Sequence, residues 1–343
     1  MTSIPSLALY AIAAGATSLI LYELYIMFFR KKKWDAKGKH CYITGGTAGL
    51  GLALALKLTK EGANVSIVAR NQERLEKALK EMEAVRQSPD QKLNVYSFSV
   101  HTTADAEASL DAACKPYGGK TPDAMFLCAG TARPGFFIEQ DESSLKQSFD
   151  EIYWLSALPA LAATKRMVRE PLSETRGKKI VLVSSSLGYF SIVGYSSYSP
   201  AKFAVRGLAE ALHSELMLYG IDVHVFFPGT IFSPGLITEN KTKPKVTLKI
   251  EERDEGMSPE RWADELLKGV RDGDFHVVGD FIGRVFRSST RGASPSDRGI
   301  IDFIYLMIGV FGVPPWRKSV DENVVKHVDE HQEYLKERGF KTS

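Results

Sequence analysis

The stretch GYSSYSPAKFAVRG, residues 194–207, carries a phenol and a primary amine four residues apart, Tyr198 and Lys202. On a helix that spacing puts both side chains on one face. A phenol titrates at about pH 10, too weak an acid to give up a proton readily at neutral pH. A neighbouring ammonium stabilises the phenolate and lowers that pKa. Thirteen residues before Tyr198, the apolar run KIVLV gives way to SSSLG, so Ser185 stands at a predicted strand end, with Ser184 as the alternative register. A hydroxyl, a phenol and an ammonium that converge can orient a carbonyl oxygen and hand it a proton. That is the polar half of carbonyl reduction; the other half is a hydride delivered to carbon. The predicted roles are proton donor for Tyr198, its electrostatic partner for Lys202, and substrate contacts for Ser184, Ser185 and Tyr198. Pro200 lies between the phenol and the amine. In a first helical turn its missing N–H has no intrahelical partner, so the helix is expected to begin just before it.

A hydride donor needs a binding loop, and TGGTAGLG, residues 44–51, offers one. It follows the strand-like run HCYIT and precedes an amphipathic helical run. Gly45, Gly49 and Gly51 let the backbone turn tightly and approach a pyrophosphate seated on the helix N-terminus. Thr47, Ala48 and Leu50 complete the candidate loop. The second strand-like run ends in VARNQER. An NAD site usually places an acidic residue there, for the ribose 2′-hydroxyl. This chain has Arg70 and Asn71, with Arg74 one turn on, and guanidinium binds a 2′-phosphate. The expected cofactor is NADPH.

The elements that must position these groups follow from alternation. Short apolar runs rich in β-branched residues alternate with helical runs from residue 40 to about 280, which predicts an α/β fold. Such runs make a Rossmann-type, doubly wound parallel sheet of about seven strands with helices on both faces. The polar stretch 241–257 reads as a mobile loop beside the site. The 343 residues carry 44 basic and 41 acidic side chains, a balance that gives no nucleic-acid signal. Cys41, Cys114 and Cys128 show no metal-ligand spacing and point to buried thiols in a reducing compartment.

The ends differ in composition. Ser6 to Phe29 is apolar with Glu23 its one charge, and RKKK follows at 30–33. That pattern predicts an uncleaved N-terminal membrane anchor with the rest of the chain on the cytoplasmic side. Ile300 to Trp316 is a second apolar run, short for a span, and Arg284, Arg287, Arg291 and Arg298 before it would suit an anionic membrane surface. The expected organisation is an anchor and basic flank over 1–33, a catalytic domain over 34–285, and a C-terminal membrane-associated segment with a charged tail over 286–343.

On the glycine loop, Arg70 and the Ser185–Tyr198–Lys202 set, the chain resembles a short-chain dehydrogenase/reductase over roughly Lys39 to Gly235. The segment FPGTIFSPG, residues 227–235, is similar to the family's Pro-Gly segment beside the nicotinamide. The resemblance implies that Pro228, Gly229 and Ile231, with Gly130 at the end of the fourth strand, border the cofactor. Within the family, TGGTAGLG, VARN, SSYSPAKFAVRGLAEAL, ENKTKP (239–244) and the two apolar end segments resemble the branch that acts on long-chain sphingoid ketones. That implies NADPH-dependent reduction of 3-ketodihydrosphingosine to dihydrosphingosine at the cytosolic face of the endoplasmic reticulum membrane. Family members commonly pair through helices such as the one near Tyr198, which leaves a homo-oligomer open. Three positions depart from the family pattern. Tyr153 stands where an asparagine holds a relay water, Leu127 replaces another asparagine, and Ser99 or His101 stands where an aspartate is usual. A membrane reductase of a 3-ketoacyl-CoA, a steroid or a retinoid shares the same signature, because fold and substrate separate at the pocket. A non-catalytic membrane scaffold of the same fold is the remaining alternative.

Overall fold

The computed structural model describes residues 34–340 except 253, 296 and 297, together with 10, 14, 15, 17, 18 and 21. Apart from those few residues, the predicted N-terminal anchor and its basic flank lie outside the described residues. Seven parallel strands form the sheet: β1 His40–Thr44, β2 Asn64–Ala69, β3 Leu93–Ser97, β4 Ala124–Leu127, β5 Lys179–Val183, β6 Asp222–Phe226 and β7 His276–Val277. Their order is β3-β2-β1-β4-β5-β6-β7. The order reverses between β1 and β4, and a crevice opens where the chains leave the two strand ends in opposite directions.

Central strands are buried on both faces. Every residue of β1 and β5 is buried, so neither run alternates between an apolar and a polar face. On one face, helices Gly49–Lys60 (α1) and Gln72–Ala84 (α2) bury Leu54, Leu58 and Leu75. The helix Pro259–Asp272 packs on the same face with Trp262 and Leu266. The opposite face is covered by Thr103–Cys114 (α3), by Glu142–Phe149 and Leu155–Met167 (α4 and α5), and by Tyr198–Leu216 (α6). Each fully buried leucine there contributes roughly 2 kcal/mol of transfer free energy. The predicted helix over 145–168 is two helices joined by a π-turn at Asp150–Trp154, the segment that holds Tyr153.

Beyond β6 the chain departs from expectation. The stretch 241–257, predicted as a mobile loop, contains a short helix, Lys245–Glu251 (α8), and follows directly on another, Pro234–Asn240 (α7). Val246 and Thr247 are buried, and the Thr247 hydroxyl donates to the Val193 carbonyl at 2.8 Å. Long-range contacts thus order a segment whose local composition is polar. Pro259–Asp272 (α9) starts as predicted, with Ser258 as N-cap accepting from Arg261 N at 3.3 Å and Pro259 in the first turn.

Phe281–Thr290 (α10) and the 28-residue Gly299–Lys326 (α11) then pack against each other, and Val328–Glu337 (α12) ends the fold. Helix α10 runs through the predicted boundary at 285. Helix α11 is long and apolar enough to cross a membrane, with Phe303, Ile304 and Phe311 exposed. The arginines expected to meet a membrane surface are mostly engaged inside the protein. Arg287 bonds the buried Asp302, Arg291 reaches the same carboxylate at 3.2 Å, and Arg298 pairs with Asp274 at 2.7 Å. Only Arg284 of the four has no ion pair among the described residues. Buried charges find carboxylates because an unpaired one costs several kcal/mol. Asp302→Ala removes the buried carboxylate that Arg287 and Arg291 share, so thermal or urea unfolding is expected to show a loss of about 3–5 kcal/mol.

Candidate active site

The crevice encloses about 410 Å³ and is lined by the glycine loop, residues 128–132, the end of β5, the start of α6 and residues 228–231. The glycine loop is built for close approach. Gly45 has φ +70°, and a Cβ there would stand 2.9 Å from Ala129 Cα; one at Gly51 would strike the Gly45 carbonyl. Helix α1 begins with no side-chain cap and no acidic residue in its first turn. Its first amide N–H groups therefore face the crevice with the helix dipole behind them, a ready seat for a pyrophosphate. The residues present fit a dinucleotide.

The other predicted cofactor contacts divide. Gly45, Ala48, Gly49, Leu50, Gly51, Gly130, Pro228, Gly229 and Ile231 line the crevice, while Thr47 does not. Arg70 and Arg74 are exposed beyond the end of β2, where Arg70 lends its positive charge to Glu151. The Asn71 side chain accepts from Arg74 N at 2.8 Å and caps α2. Ser99 and His101 are also locally engaged, Ser99 donating to Asp105 at 2.6 Å and His101 bonding the Ser99 carbonyl at 2.8 Å.

Tyr198 opens α6, with Pro200 in its first turn as expected, and Lys202 follows one turn later. The Ser185 hydroxyl lies close enough to the phenol of Tyr198 to favour its phenolate. Lys202 Nζ donates to the Val183 carbonyl at 3.0 Å and lies 5.6 Å from the Tyr198 ring centre. Hydrogen bonding distinguishes the two serines. Ser184 also lines the crevice, but it is buried and its hydroxyl donates to the Lys202 carbonyl at 2.9 Å. Ser185 Oγ instead caps a short 3₁₀ turn, accepting from Leu187 N at 3.2 Å, and faces Tyr198.

The protein's own groups raise the Tyr198 pKa, against the lowering expected from Lys202 acting together with an oxidised nicotinamide. Burial pushes the phenol up, the Glu239 carboxylate adds to this, and the Ser185 hydroxyl offsets only part. The Lys202 ammonium is directed at a carbonyl, and burial lowers its own pKa to about 8. The phenol is therefore fully protonated at neutral pH, the state a proton donor requires, with a cation one turn away to receive the phenolate charge.

Several cleft residues escaped the motif reading: Tyr195, Glu239, Lys243, Glu251, Phe286 and Trp316 all line it. Tyr195 stands three residues before Tyr198, a spacing that could have flagged it, and Glu239 and Lys243 lie within ENKTKP. Tyr153 is not among the lining residues; its ring packs 6.4 Å from Phe149 and 5.0 Å from Trp154.

An open parallel sheet, a glycine-lined crevice at its reversal point and a phenol–ammonium pair beside it define a dinucleotide-dependent oxidoreductase. The chain matches the short chain dehydrogenase family over residues 39–244, and it belongs to that family. It is 39% identical over 315 residues to "3-ketodihydrosphingosine reductase TSC10" of Cryptococcus neoformans var. neoformans serotype D, covering 92% of each chain. It is 34% identical over 288 residues to the mouse "3-ketodihydrosphingosine reductase", covering 82% of this chain and 84% of that one. Among solved structures, LigD from Sphingobium sp. strain SYK-6 superposes with a TM-score of 0.60 at 21% identity, over 76% of this chain and 100% of that one. That likeness shows the fold.

The two serines are expected to separate in stability. Ser184→Ala removes a buried hydrogen bond and should lower unfolding free energy by about 1 kcal/mol. Ser185→Ala should shift the melting temperature less, as read by thermal denaturation of both variants.

Proposed function

We propose that this chain reduces 3-ketodihydrosphingosine to dihydrosphingosine with NADPH. The observation that carries the reading is the two-ended cleft: Ser185 and Tyr198 stand at one end, and Ile282, Phe286 and Trp316 line it from the C-terminal helices. A ketone on a long alkyl chain asks for that combination, whereas a coenzyme A thioester carries charged phosphates. The names of the fungal and mouse relatives support the same substrate.

Gly45, Ala48, Gly49, Leu50 and Gly51 would hold the pyrophosphate, Arg70 and Arg74 the 2′-phosphate, and Gly130, Pro228, Gly229 and Ile231 the nicotinamide end. NADPH, when bound, supplies the hydride. Ser185 orients the ketone oxygen, and Tyr198 donates its phenolic proton to that oxygen. Lys202 stabilises the phenolate left behind and is placed to hold ribose hydroxyls. The phenolate then regains a proton from solvent. Tyr153 has no part in this sequence, since it lies off the cleft.

The proposed location is the endoplasmic reticulum membrane with the catalytic domain on its cytosolic side. Its support is the apolar helix α11 with its exposed Phe303, Ile304 and Phe311, and the substrate's own tail, which partitions into lipid. The division into anchor, catalytic domain and membrane-associated C-terminus belongs to the same proposal, as does pairing of two copies.

The test is turnover by the purified full chain with 3-ketodihydrosphingosine and either NADPH or NADH. The expected result is turnover with NADPH favoured; no turnover there, with turnover of a 3-ketoacyl-CoA, contradicts the reading. Arg70→Ala is expected to raise KM for NADPH at least about tenfold, the worth of one charge-assisted hydrogen bond, with less effect on NADH. The pH profile is a second test. Lys202 titrates at about 8 rather than at its ordinary 10.5, so its charge is present below that pH and lost above it. The turnover rate should therefore fall as pH rises through about 8, well before a solvent-exposed lysine would titrate.

A further inference from the structure

One cluster in the cleft is used by neither the fold-level motifs nor the proton transfer. Tyr195 Oη lies 2.6 Å from Glu239 Oε1 and 2.9 Å from Glu251 Oε1. Lys243 Nζ lies 2.6 Å from Glu251 Oε2 and 3.2 Å from Glu239 Oε1, with its side chain only 2% exposed. All four residues line the same crevice as Tyr198, and the Tyr195 and Tyr198 rings are 5.6 Å apart.

The cluster is unbalanced in two ways. Two carboxylates face one ammonium, which leaves one negative charge uncompensated inside the cleft. The single Tyr195 hydroxyl proton stands between two carboxylate oxygens and can be donated to only one at a time. Glu251 has both oxygens engaged, while Glu239 Oε2 makes no hydrogen bond among the described residues. Asp254 also lines this part of the crevice, so the surroundings add negative rather than positive charge. A partly buried carboxylate with surplus charge and a spare oxygen is complementary to a cation that brings its own N–H donors.

We infer that Glu239, braced by Tyr195, Lys243 and Glu251, is the recognition site for a protonated primary amine on the substrate, one carbon from the ketone that Tyr198 protonates. The inference rests on the reading under Proposed function, because 3-ketodihydrosphingosine carries such an amine beside its ketone. Position favours the assignment. Glu239 is near enough to Tyr198 for its charge to hold the phenol proton more tightly. An amine next to the reacting carbonyl would lie on the side of Tyr198 where Tyr195, its ring 5.6 Å away, carries its hydroxyl to Glu239. A seated ammonium would also cancel the field of Glu239 at Tyr198 and ease proton release, so the group that recognises the amine also tunes the donor. A ketone without the amine makes neither contact and leaves the carboxylate uncompensated, which penalises it further.

The experiment is steady-state turnover by the full chain with NADPH, comparing 3-ketodihydrosphingosine with its 2-deamino analogue of the same chain length. The wild-type chain is expected to favour the amine by at least about tenfold in kcat/KM, the range of one hydrogen bond to a charged group. Glu239→Gln is expected to bring that ratio to within about threefold of one, and Glu239→Asp to keep part of it. Turnover of both ketones by the wild-type chain at similar kcat/KM overturns the subsite without recourse to any variant. A Glu239→Gln chain that loses activity equally on both, keeping the wild-type ratio, overturns it too and shows that the cluster only braces α7 and α8. Failure of the wild-type chain to reduce the amino ketone at all overturns the reductase reading, and the subsite with it.

Discussion

Lys202 is held from two directions, and the rest of the site depends on that grip. Its ammonium donates to the carbonyl of Val183 at the end of β5, and its own carbonyl accepts from the hydroxyl of Ser184, the next residue along. The two bonds fasten the first turns of α6 to the strand end. They fix the distance between Ser185, which leaves the strand, and Tyr198, which opens the helix. Burial makes the ammonium easier to deprotonate, with a pKa of about 8, yet leaves most of it charged at neutral pH. A cation in this position gains from every negative charge that forms near it, which is what a phenolate requires.

The parallel sheet supplies only half of the cleft. Strand ends and the glycine loop build the side that suits a dinucleotide, as expected at the point where strand order reverses. The other side comes from additions after β6. Helices α7 and α8 bring Glu239 and Glu251, and the C-terminal helices bring Phe286 and Trp316. Phe190 ties those two rings to the residues before Tyr198, with centroids 4.2 and 5.0 Å away. Arg287 and Asp302 join α10 to α11 at the base of this wall. The apolar wall and the exposed apolar face of α11 belong to the same pair of helices, so a chain leaving the cleft would meet the surface best suited to lipid.

What the sequence made legible was local. Strand and helix periodicity, the glycine spacing, Ser258 and Pro259 at the start of α9 and Pro200 in the first turn of α6 depend on neighbours a few residues apart, and all stand in the structure as expected. The features that were not legible depend on partners far along the chain. Lys243 reads as a loop lysine until α8 brings Glu251 to it. Arg287, Arg291 and Arg298 read as a basic surface until Asp302, Asp272 and Asp274 fold against them. The difference between Ser184 and Ser185 lies in one hydrogen bond across the strand–helix junction. The direction of the Tyr198 shift turned on burial and on Glu239, neither of which spacing reveals.

The central claim is that Tyr198 gives the proton in a site that Lys202 and Ser185 preorganise. The most direct measurement is kcat for 3-ketodihydrosphingosine in Tyr198→Phe, together with NADPH affinity by fluorescence in the same protein. The substitution removes one oxygen and keeps the ring. The account predicts a fall in kcat of about 10²–10⁴-fold, the usual contribution of a positioned general acid, with the cofactor still bound. A kcat within threefold of the wild-type value, at intact cofactor affinity, would contradict it.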